Sequence, residues 1–216
     1  MNAPFIGLTG PTGAGKSTAA RILESLGCAV IDGDALAREI TEPGSPVLQK
    51  LAERFGEDVC KGGTLDRNLL AARAFASEKA RRDLNSITHP AITQLALERA
   101  KALQGFRAIV LDAAALLESG LTALCAHILI IAAPEELRLQ RILARGGVGE
   151  EAARRRIKAQ HSMDFNAGAG RTIIQNEGSE EELRLAVEKA FQVVAGGSGS
   201  ASGGAAANPA VAAPED

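Results

Sequence analysis

The sequence predicts an α/β fold in which a parallel β-sheet is flanked by helices on both faces, giving three layers. Short apolar segments alternate along the chain with longer segments of helical periodicity. The segment 127–132, HILIIA, is apolar through its middle, as expected of a strand that is covered on both faces. Alternation of strands and helices is typical of parallel sheets, because each crossover helix returns the chain to the same edge.

The predicted elements follow in a regular order. An apolar strand at residues 5–8 ends at a glycine-rich turn, and a helix at 17–26 follows, because its apolar residues recur at helical spacing and Gly27 ends it. Residues 34–104 are mostly helical, with breaks at Pro43-Gly44 and Gly62-Gly63. The remaining predictions are strands at 28–31, 107–111, 127–132 and 172–175, and helices at 134–145, 150–160 and 179–194.

Composition narrows the classes of function. Of the 216 residues 46% are hydrophobic, 23% are charged, and the net charge is −2. A chain this close to neutral has no overall field that would attract nucleic acid or an anionic membrane. Three cysteines without metal-ligand spacing predict free thiols in a reducing cytoplasm. No signal peptide and no apolar run of the about 20 residues that cross a bilayer is found, so we expect a cytoplasmic protein.

Residues 10–17, GPTGAGKS, form the strongest motif, a complete G-x-x-x-x-G-K-[ST]. The motif follows a predicted strand and opens a predicted helix, which is the context that a phosphate-binding loop requires. Gly13 and Gly15 let backbone N–H groups turn inward around a phosphate, and the helix N-terminus adds its positive dipole end. Lys16 is expected to reach the β- and γ-phosphates, and the Ser17 hydroxyl can bind Mg²⁺. The motif predicts nucleotide binding.

The loop alone does not separate kinases from GTPases and motor ATPases. The chain has no Asn-Lys-x-Asp motif for guanine and is short for a motor, so a kinase is favoured. A kinase needs a base for its acceptor, and the segment 31–34, IDGD, ends the second strand, where the ligand crevice of a parallel sheet lies. Asp34 or Asp32 can accept the proton of an acceptor hydroxyl, and either can instead cap the helix that begins near Ala35.

Five segments resemble the dephospho-CoA kinase family in their order and spacing. They are residues 8–18 (LTGPTGAGKST), 27–38 (GCAVIDGDALAR), 42–46 (EPGSP), 63–67 (GTLDR) and 87–90 (ITHP). The resemblance extends from about residue 5 to residue 194. It implies transfer of the γ-phosphate of ATP, bound with Mg²⁺, to the 3′-hydroxyl of dephospho-CoA.

The resemblance also implies roles for individual residues. The implied catalytic residues are Asp34 as the base, Lys16, Arg141 and Arg145. The implied ATP-binding residues are Gly13, Ala14, Gly15, Lys16, Ser17, Thr18 and Asn176, with Ser17 on the metal. The implied acceptor-binding residues are Thr9, Asp34, Arg38 and His89. For His89 the alternative is that Thr88-His89-Pro90 begins a helix, with proline in its first turn.

The segment 110–118, VLDAAALLE, resembles a further family segment, with Ala114 where the family has proline. Asp112 ends an apolar strand, at a position from which a carboxylate can hold Mg²⁺ through water. A capping or salt-bridge role fits Asp112 equally well, and Asp32 is the other candidate to assist the metal.

The predicted helices at 134–145 and 150–160 are rich in arginine. Arg138, Arg141 and Arg145 share one predicted face, which suits a lid that closes over phosphates; the alternative is a solvated face with ion pairs. The resemblance places a lid arginine at residues 140–145. The chain departs from the family at Gly146-Gly147, Asn166 and Gly170-Arg171, but it keeps an Asn-x-Gly pattern that implies Asn176 beside the adenine.

We therefore predict a single kinase domain over residues 1–195. Its sheet core is assembled from residues 1–34, 105–133 and 171–195, with a helical acceptor lobe at about 35–104 and a lid at about 134–170. Residues 196–216, rich in glycine, serine and alanine, are predicted to be disordered. The alternatives are another small-metabolite or nucleotide kinase of this fold, and a regulator that binds ATP without transferring phosphate. The sequence does not determine the oligomeric state.

Overall fold

The structure, a computed structural model, describes residues 3–160 and 170–197. In this part of the chain five strands form a parallel sheet in the order β2-β5-β1-β6-β7, and two short strands form an antiparallel hairpin, β3-β4. The strands are β1 (Phe5–Thr9), β2 (Ala29–Asp32), β3 (Cys60–Lys61), β4 (Thr64–Leu65), β5 (Ile109–Asp112), β6 (His127–Ala132) and β7 (Arg171–Gln175).

Helices connect these strands, and several begin at a polar cap. Asp32, Ser45, Asp66 and Ser77 each accept a hydrogen bond from a backbone N–H of the first helical turn, which satisfies a donor that has no partner inside the helix. The helices are α1 (Lys16–Ser25), α2 (Gly33–Glu39), α3 (Pro46–Phe55), α4 (Arg67–Ala74), α5 (Glu78–Lys101), α6 (Glu135–Ala144), α7 (Glu150–Ala159) and α8 (Glu180–Gly197).

The central sheet is covered on both faces, which confirms the predicted fold class. On one face Leu8 of β1 packs in a cluster with Leu23 of α1 and Phe191 of α8. On the other face Leu111 of β5 packs with Ile92 of α5. Neighbouring residues of a strand point to opposite faces, so a strand between two helical layers has to be apolar at successive positions.

Two smaller apolar clusters lie outside the sheet layers. One joins α3 and α4 to the hairpin through residues such as Leu51, Phe55 and Leu65. The other joins α6 and α7 through Leu139, Ile142, Ala153 and Ile157. Each helical group therefore has its own packing beside the carboxyl edge of the sheet. None of the described helices is long and apolar enough to span a bilayer.

The structure differs from the prediction at several element boundaries. Pro90 lies inside α5, whose cap is Ser77, so the alternative for His89, that a helix begins at residues 88–90, is wrong. Strand β5 begins two residues later than predicted, at Ile109, and the Arg107 guanidinium before it lies 4.8 Å from the Phe191 ring centroid.

Two further boundaries concern glycines. The break predicted at Gly62-Gly63 is present, as the turn of the β3-β4 hairpin, which was not predicted. Helix α8 continues two residues into the segment predicted as disordered. Predictions for residues 161–169, among them Asn166, and for the chain beyond residue 197 lie outside the described residues.

Gly10 is required where β1 meets the loop. Its φ is 154°, and a Cβ atom there would overlap the Ile131 backbone carbonyl oxygen in the neighbouring strand. We expect Gly10→Ala to lower the free energy of unfolding by about 3 kcal/mol, and the melting temperature by about 6–12 °C. The control is Gly44→Ala, where φ is 87° but no atom lies within 4 Å of the added carbon; its expected cost is about 1 kcal/mol. Equal losses in the two variants, followed by thermal denaturation, would contradict the overlap.

Candidate active site

The phosphate-binding loop joins β1 to α1 at the carboxyl edge of the sheet. Gly15 caps α1 with φ 102°, and the Ala14 N–H donates to the Pro11 carbonyl at 3.1 Å to close the turn. Ser17 is exposed and Thr18 half-buried in the first turn of the helix. The N-terminus of α1 thus offers unpaired N–H groups and a positive dipole end to an anion, as the sequence predicted.

The Asn176 side chain forms a hydrogen bond to the backbone of the phosphate-binding loop. The side chain is buried, and its Nδ2 donates to the Ala14 carbonyl at 2.7 Å, while its backbone oxygen accepts from Arg141 Nη1 at 3.0 Å. A Cβ atom on Gly15 would overlap Asn176 Nδ2, so glycine is needed there for the close approach as well as for its positive φ. Asn176 therefore contacts the loop backbone directly.

Lys16 forms an ion pair with Asp112, the last residue of β5. Both side chains are mostly buried, with 21% and 17% of their surfaces exposed. Burial raises the pKa of the Asp112 carboxyl, Lys16 opposes that rise, and the nearby carboxylates of Asp34 and Asp32 add to it. Three acidic side chains and one lysine therefore share this edge of the sheet.

The two candidate bases lie in different settings. Asp32 caps α2, since its Oδ1 accepts from the Ala35 N–H at 2.9 Å, and 60% of its side chain is exposed. Asp34 lies two residues further on, in the first turn of α2, and is half-buried; its Oδ2 lies 3.4 Å from the Ala114 N–H just after β5. The capping alternative therefore applies to Asp32. Asp34 faces the strand end where Asp112 lies.

A cavity of about 530 Å³ is lined by residues of α2 and α5 and of the segment that follows β5. Its walls are mainly apolar, and three arginines also line it. The residues that line it include Ala37, Thr41, Leu65, Arg67, Leu70, Phe75, Arg81, Arg82, His89, Ile92, Ala115 and Leu117. A cavity of this kind suits a long ligand that is apolar in one part and anionic in another.

A smaller cavity of about 340 Å³ lies on the other side of the loop. Gly15 and Thr18 form one wall, and Arg141, Arg145 and Asn176 form another. The cavity adjoins the first turn of α1, so a nucleotide with its phosphates in the loop could place its base here.

The family is decided by comparison with known proteins. A family model described as dephospho-CoA kinase matches residues 4–182. The chain belongs to the dephospho-CoA kinase family. Among curated relatives of this kinase, the dephospho-CoA kinase of Syntrophotalea carbinolica is 42% identical over 182 residues, covering 83% of this chain and 86% of the relative. That of Corynebacterium diphtheriae is 45% identical over 189 residues, covering 85% and 94%.

Solved structures agree with this assignment. The Thermus thermophilus protein TT1252 has a TM-score of 0.69 and 31% identity, covering 89% of this kinase and 98% of that chain. The dephospho-CoA kinase from Campylobacter jejuni has a TM-score of 0.57 and 28% identity, covering 91% and 98%. These matches confirm the predicted fold class and family.

The predicted acceptor residues of this kinase lie in different settings. Thr9 is fully buried, and its hydroxyl donates to the Ala114 carbonyl at 3.2 Å. Arg38 is exposed, and its Nε donates to the Asp34 backbone carbonyl at 3.1 Å. His89 lines the larger cavity; burial lowers the pKa of its imidazole, and a hydrogen bond with the Glu118 backbone opposes that shift. His89 therefore lines the larger cavity, while Thr9 and Asp34 both contact the backbone of Ala114, next to the lining residue Ala115.

Arg138, Arg141 and Arg145, which the sequence placed on one helix face, lie in different environments at α6 and its C-cap. Arg138 is 7% exposed, and its Nε donates to the Thr12 carbonyl at 3.0 Å. Arg141 is half-buried against Asn176, whereas Arg145 is exposed. The environments differ because the α6 backbone packs directly against the loop: a Cβ atom on Gly13 would lie 2.8 Å from the Arg138 carbonyl oxygen.

Sequence reasoning missed two groups of residues at this site. Three arginines line the larger cavity: Arg67, Arg81 and Arg82. Arg67 belongs to the family-like segment 63–67, and that segment is a local signal from which it could have been found. No local sequence pattern indicated Arg81 or Arg82. Arg138 and Gln160 both reach the phosphate-binding loop from distant parts of the chain. Nothing in their neighbouring residues shows that contact.

Proposed function

We propose that this chain transfers the γ-phosphate of ATP to the 3′-hydroxyl of dephospho-CoA, giving coenzyme A and ADP. The observation that carries the proposal is the position of Asp34. Its Oδ2 lies 3.4 Å from the Ala114 N–H, just after Asp112, which pairs with Lys16 of the phosphate-binding loop. Ala115, which follows Ala114, and Ala37, three residues after Asp34, line the 530 Å³ cavity. A carboxylate at that position can act as a base on an acceptor hydroxyl.

The chemical step follows from these positions. Asp34 accepts the proton of the acceptor hydroxyl as its oxygen bonds to the γ-phosphorus, and the bond from that phosphorus to the β,γ-bridging oxygen breaks to release ADP. Lys16 balances negative charge on the β- and γ-phosphates. The Asp112 carboxylate holds the Lys16 ammonium group at the sheet edge.

The residues present fit Mg²⁺ bound together with a nucleotide. The Ser17 hydroxyl and the Asp112 carboxylate are hard oxygen donors, and no group of three acidic, histidine or cysteine side chains among the described residues could hold a metal alone. This agrees with Mg²⁺, which usually takes one or two protein ligands and completes its shell with phosphate and water. When bound, Mg²⁺ would neutralise phosphate charge.

Dephospho-CoA has two chemical parts that match the larger cavity. Its pantetheine arm can lie along apolar residues such as Leu65, Leu70 and Phe75. Its diphosphate can accept hydrogen bonds from Arg67, Arg81 or Arg82, since guanidinium groups bind phosphate with paired donors. We propose these three arginines as acceptor-binding residues beside Arg38 and His89.

We further propose that Arg141, Arg145 and Asn176 hold the nucleotide. Arg141 donates a hydrogen bond to the Asn176 backbone oxygen. Loss of this hydrogen bond in Arg141→Ala should raise the KM for ATP about tenfold and lower kcat less than about threefold. Steady-state kinetics with varied ATP measures both. Arg99→Ala, which removes only an exposed ion pair to Glu39, is the control. A larger fall in kcat than in ATP affinity would instead support the lid role over phosphates.

A panel of acceptors tests the substrate. With ATP saturating, turnover of dephospho-CoA is compared with that of AMP and shikimate, acceptors of other small kinases. We expect kcat/KM for dephospho-CoA to exceed the others by at least about 10³-fold, because only that acceptor fills both parts of the cavity. Equal or greater turnover of another acceptor would contradict the proposal.

We also propose a cytoplasmic location, as the three free cysteines support. Burial raises the pKa of the Cys28 thiol to about 11, against the opposing charge of Arg107, and that of Cys125 to about 12. Both thiols therefore stay protonated near neutral pH, and neither is suited to nucleophilic chemistry.

A further inference from the structure

Thr12, the third residue of the phosphate-binding loop, is held at both ends of its backbone by side chains from outside the loop. Its N–H donates to Gln160 Oε1 at 2.8 Å, and its carbonyl accepts from Arg138 Nε at 3.0 Å. Gln160 is the cap residue at the end of α7, and Arg138 lies in the second turn of α6. Two helices therefore meet on one residue of the loop.

The two helices act on the loop as one unit because they are packed together. Leu139 and Ile142 of α6 lie in an apolar cluster with Ala153 and Ile157 of α7. An ion pair of 3.6 Å between Arg154 and Glu136 also joins the helices. A shift of this pair relative to the sheet would change both hydrogen bonds to Thr12 at once.

The burial of the Arg138 side chain is a second observation that indicates a functional role for its contact with Thr12. Arg138 as a whole is 7% exposed, its backbone lies beside Gly13, and its Nη2 has no hydrogen-bond partner among the described residues. A buried guanidinium with an unmet donor is costly, so a purely structural role would be served better by an apolar residue of similar size. Next to a loop that binds phosphate, the same charge contributes a favourable potential.

We propose that Arg138 and Gln160 are positioning residues, which fix the backbone of Thr12 and so couple the α6–α7 pair to the shape of the phosphate-binding loop. The proposal rests on the proposed function for its turnover assay, but its nucleotide-affinity assay does not depend on the acceptor. Neither residue needs to touch the reacting atoms. Their effect on ATP passes through the loop backbone.

The test uses Gln160→Leu, which removes the acceptor for the Thr12 N–H, and Gln160→Glu, which keeps a side-chain oxygen there. Gln49→Leu is the matched control, since Gln49 is an exposed glutamine whose Nε2 donates to Glu53 of its own helix at 3.0 Å. Calorimetry with ATP and turnover with dephospho-CoA are measured together with melting temperature.

We expect Gln160→Leu to weaken ATP binding about tenfold and to lower kcat about tenfold, because the lost hydrogen bond fixes the conformation of the loop backbone. The melting temperature should stay within about 2 °C of the wild type. Gln160→Glu should recover to within about threefold. The double variant Arg138→Ala/Gln160→Leu should lose less than the product of the single losses, since both act on one residue.

Gln160→Leu behaving like Gln49→Leu in both assays would overturn the proposal, and so would independent losses in the double variant. If Arg138→Ala does not fold, the comparison of Gln160→Leu with Gln160→Glu still decides. A wild-type protein that binds ATP but does not turn over dephospho-CoA would refute the proposed function, while the calorimetric comparison would still test the roles of Arg138 and Gln160.

Discussion

Replacing Asp34 by Asn is expected to lower kcat by at least about 10²-fold while ATP binding stays within about threefold of the wild type. The amide keeps the size of the side chain and an oxygen acceptor for the Ala114 N–H, so the fold and the cavity should persist. It cannot accept the hydroxyl proton at neutral pH. Steady-state kinetics gives kcat, and calorimetry gives the ATP affinity.

Asp32→Asn is the matched control for this result. Asp32 caps α2 through the Ala35 N–H, and asparagine is as good a cap as aspartate, so the expected loss in kcat is less than about threefold. The two carboxylates lie two residues apart at the same strand end, so both variants change the local charge in the same way. The opposite ranking of the two variants would move the base role to Asp32.

Replacing Lys16 by Met is expected to lower turnover by about 10³-fold, because the loop loses the cation that balances the β- and γ-phosphates. It should also lower the free energy of unfolding by about 2 kcal/mol, since Asp112 is left mostly buried without its partner. Kinetics and thermal denaturation of the same preparation measure the two effects separately.

The double variant Lys16→Met/Asp112→Asn separates catalysis from stability. Removing the unpaired carboxylate should restore most of the lost free energy of unfolding, while turnover stays at the level of Lys16→Met. Recovery of turnover in the double variant would show that Lys16 serves mainly to neutralise Asp112. A stability unchanged in Lys16→Met would show that the ion pair contributes nothing to the folded state.

Local patterns were enough to predict the sheet, the loop and the family. The residues of the loop are adjacent in sequence, and each glycine or lysine has a local reason to be there. Asp34 could be proposed because the carboxyl ends of parallel strands share one edge. The choice between Asp32 and Asp34 needed the structure, since only the hydrogen bond of Asp32 to the Ala35 N–H shows which of them is the cap.

Long-range contacts could not be predicted in this way. Arg138 and Gln160 are 126 and 148 residues away from Thr12, and helical periodicity placed Arg138 on a face with Arg141 and Arg145. The spacing of these arginines along the helix was predicted correctly, but the burial of each side chain depends on how α6 packs against Gly13. A helix start at Pro90 was the alternative considered for His89, because proline is usually excluded from a helix interior; α5 nevertheless contains it.

The central claim is that the loop, Asp34 and the larger cavity form one site for phosphate transfer to dephospho-CoA. The most direct measurement is ADP release from Mg-ATP with and without dephospho-CoA, using wild-type protein and Lys16→Met. We predict release that requires both the acceptor and Lys16, with stoichiometric formation of coenzyme A. ADP release at the same rate without dephospho-CoA, or none with it, would contradict the claim.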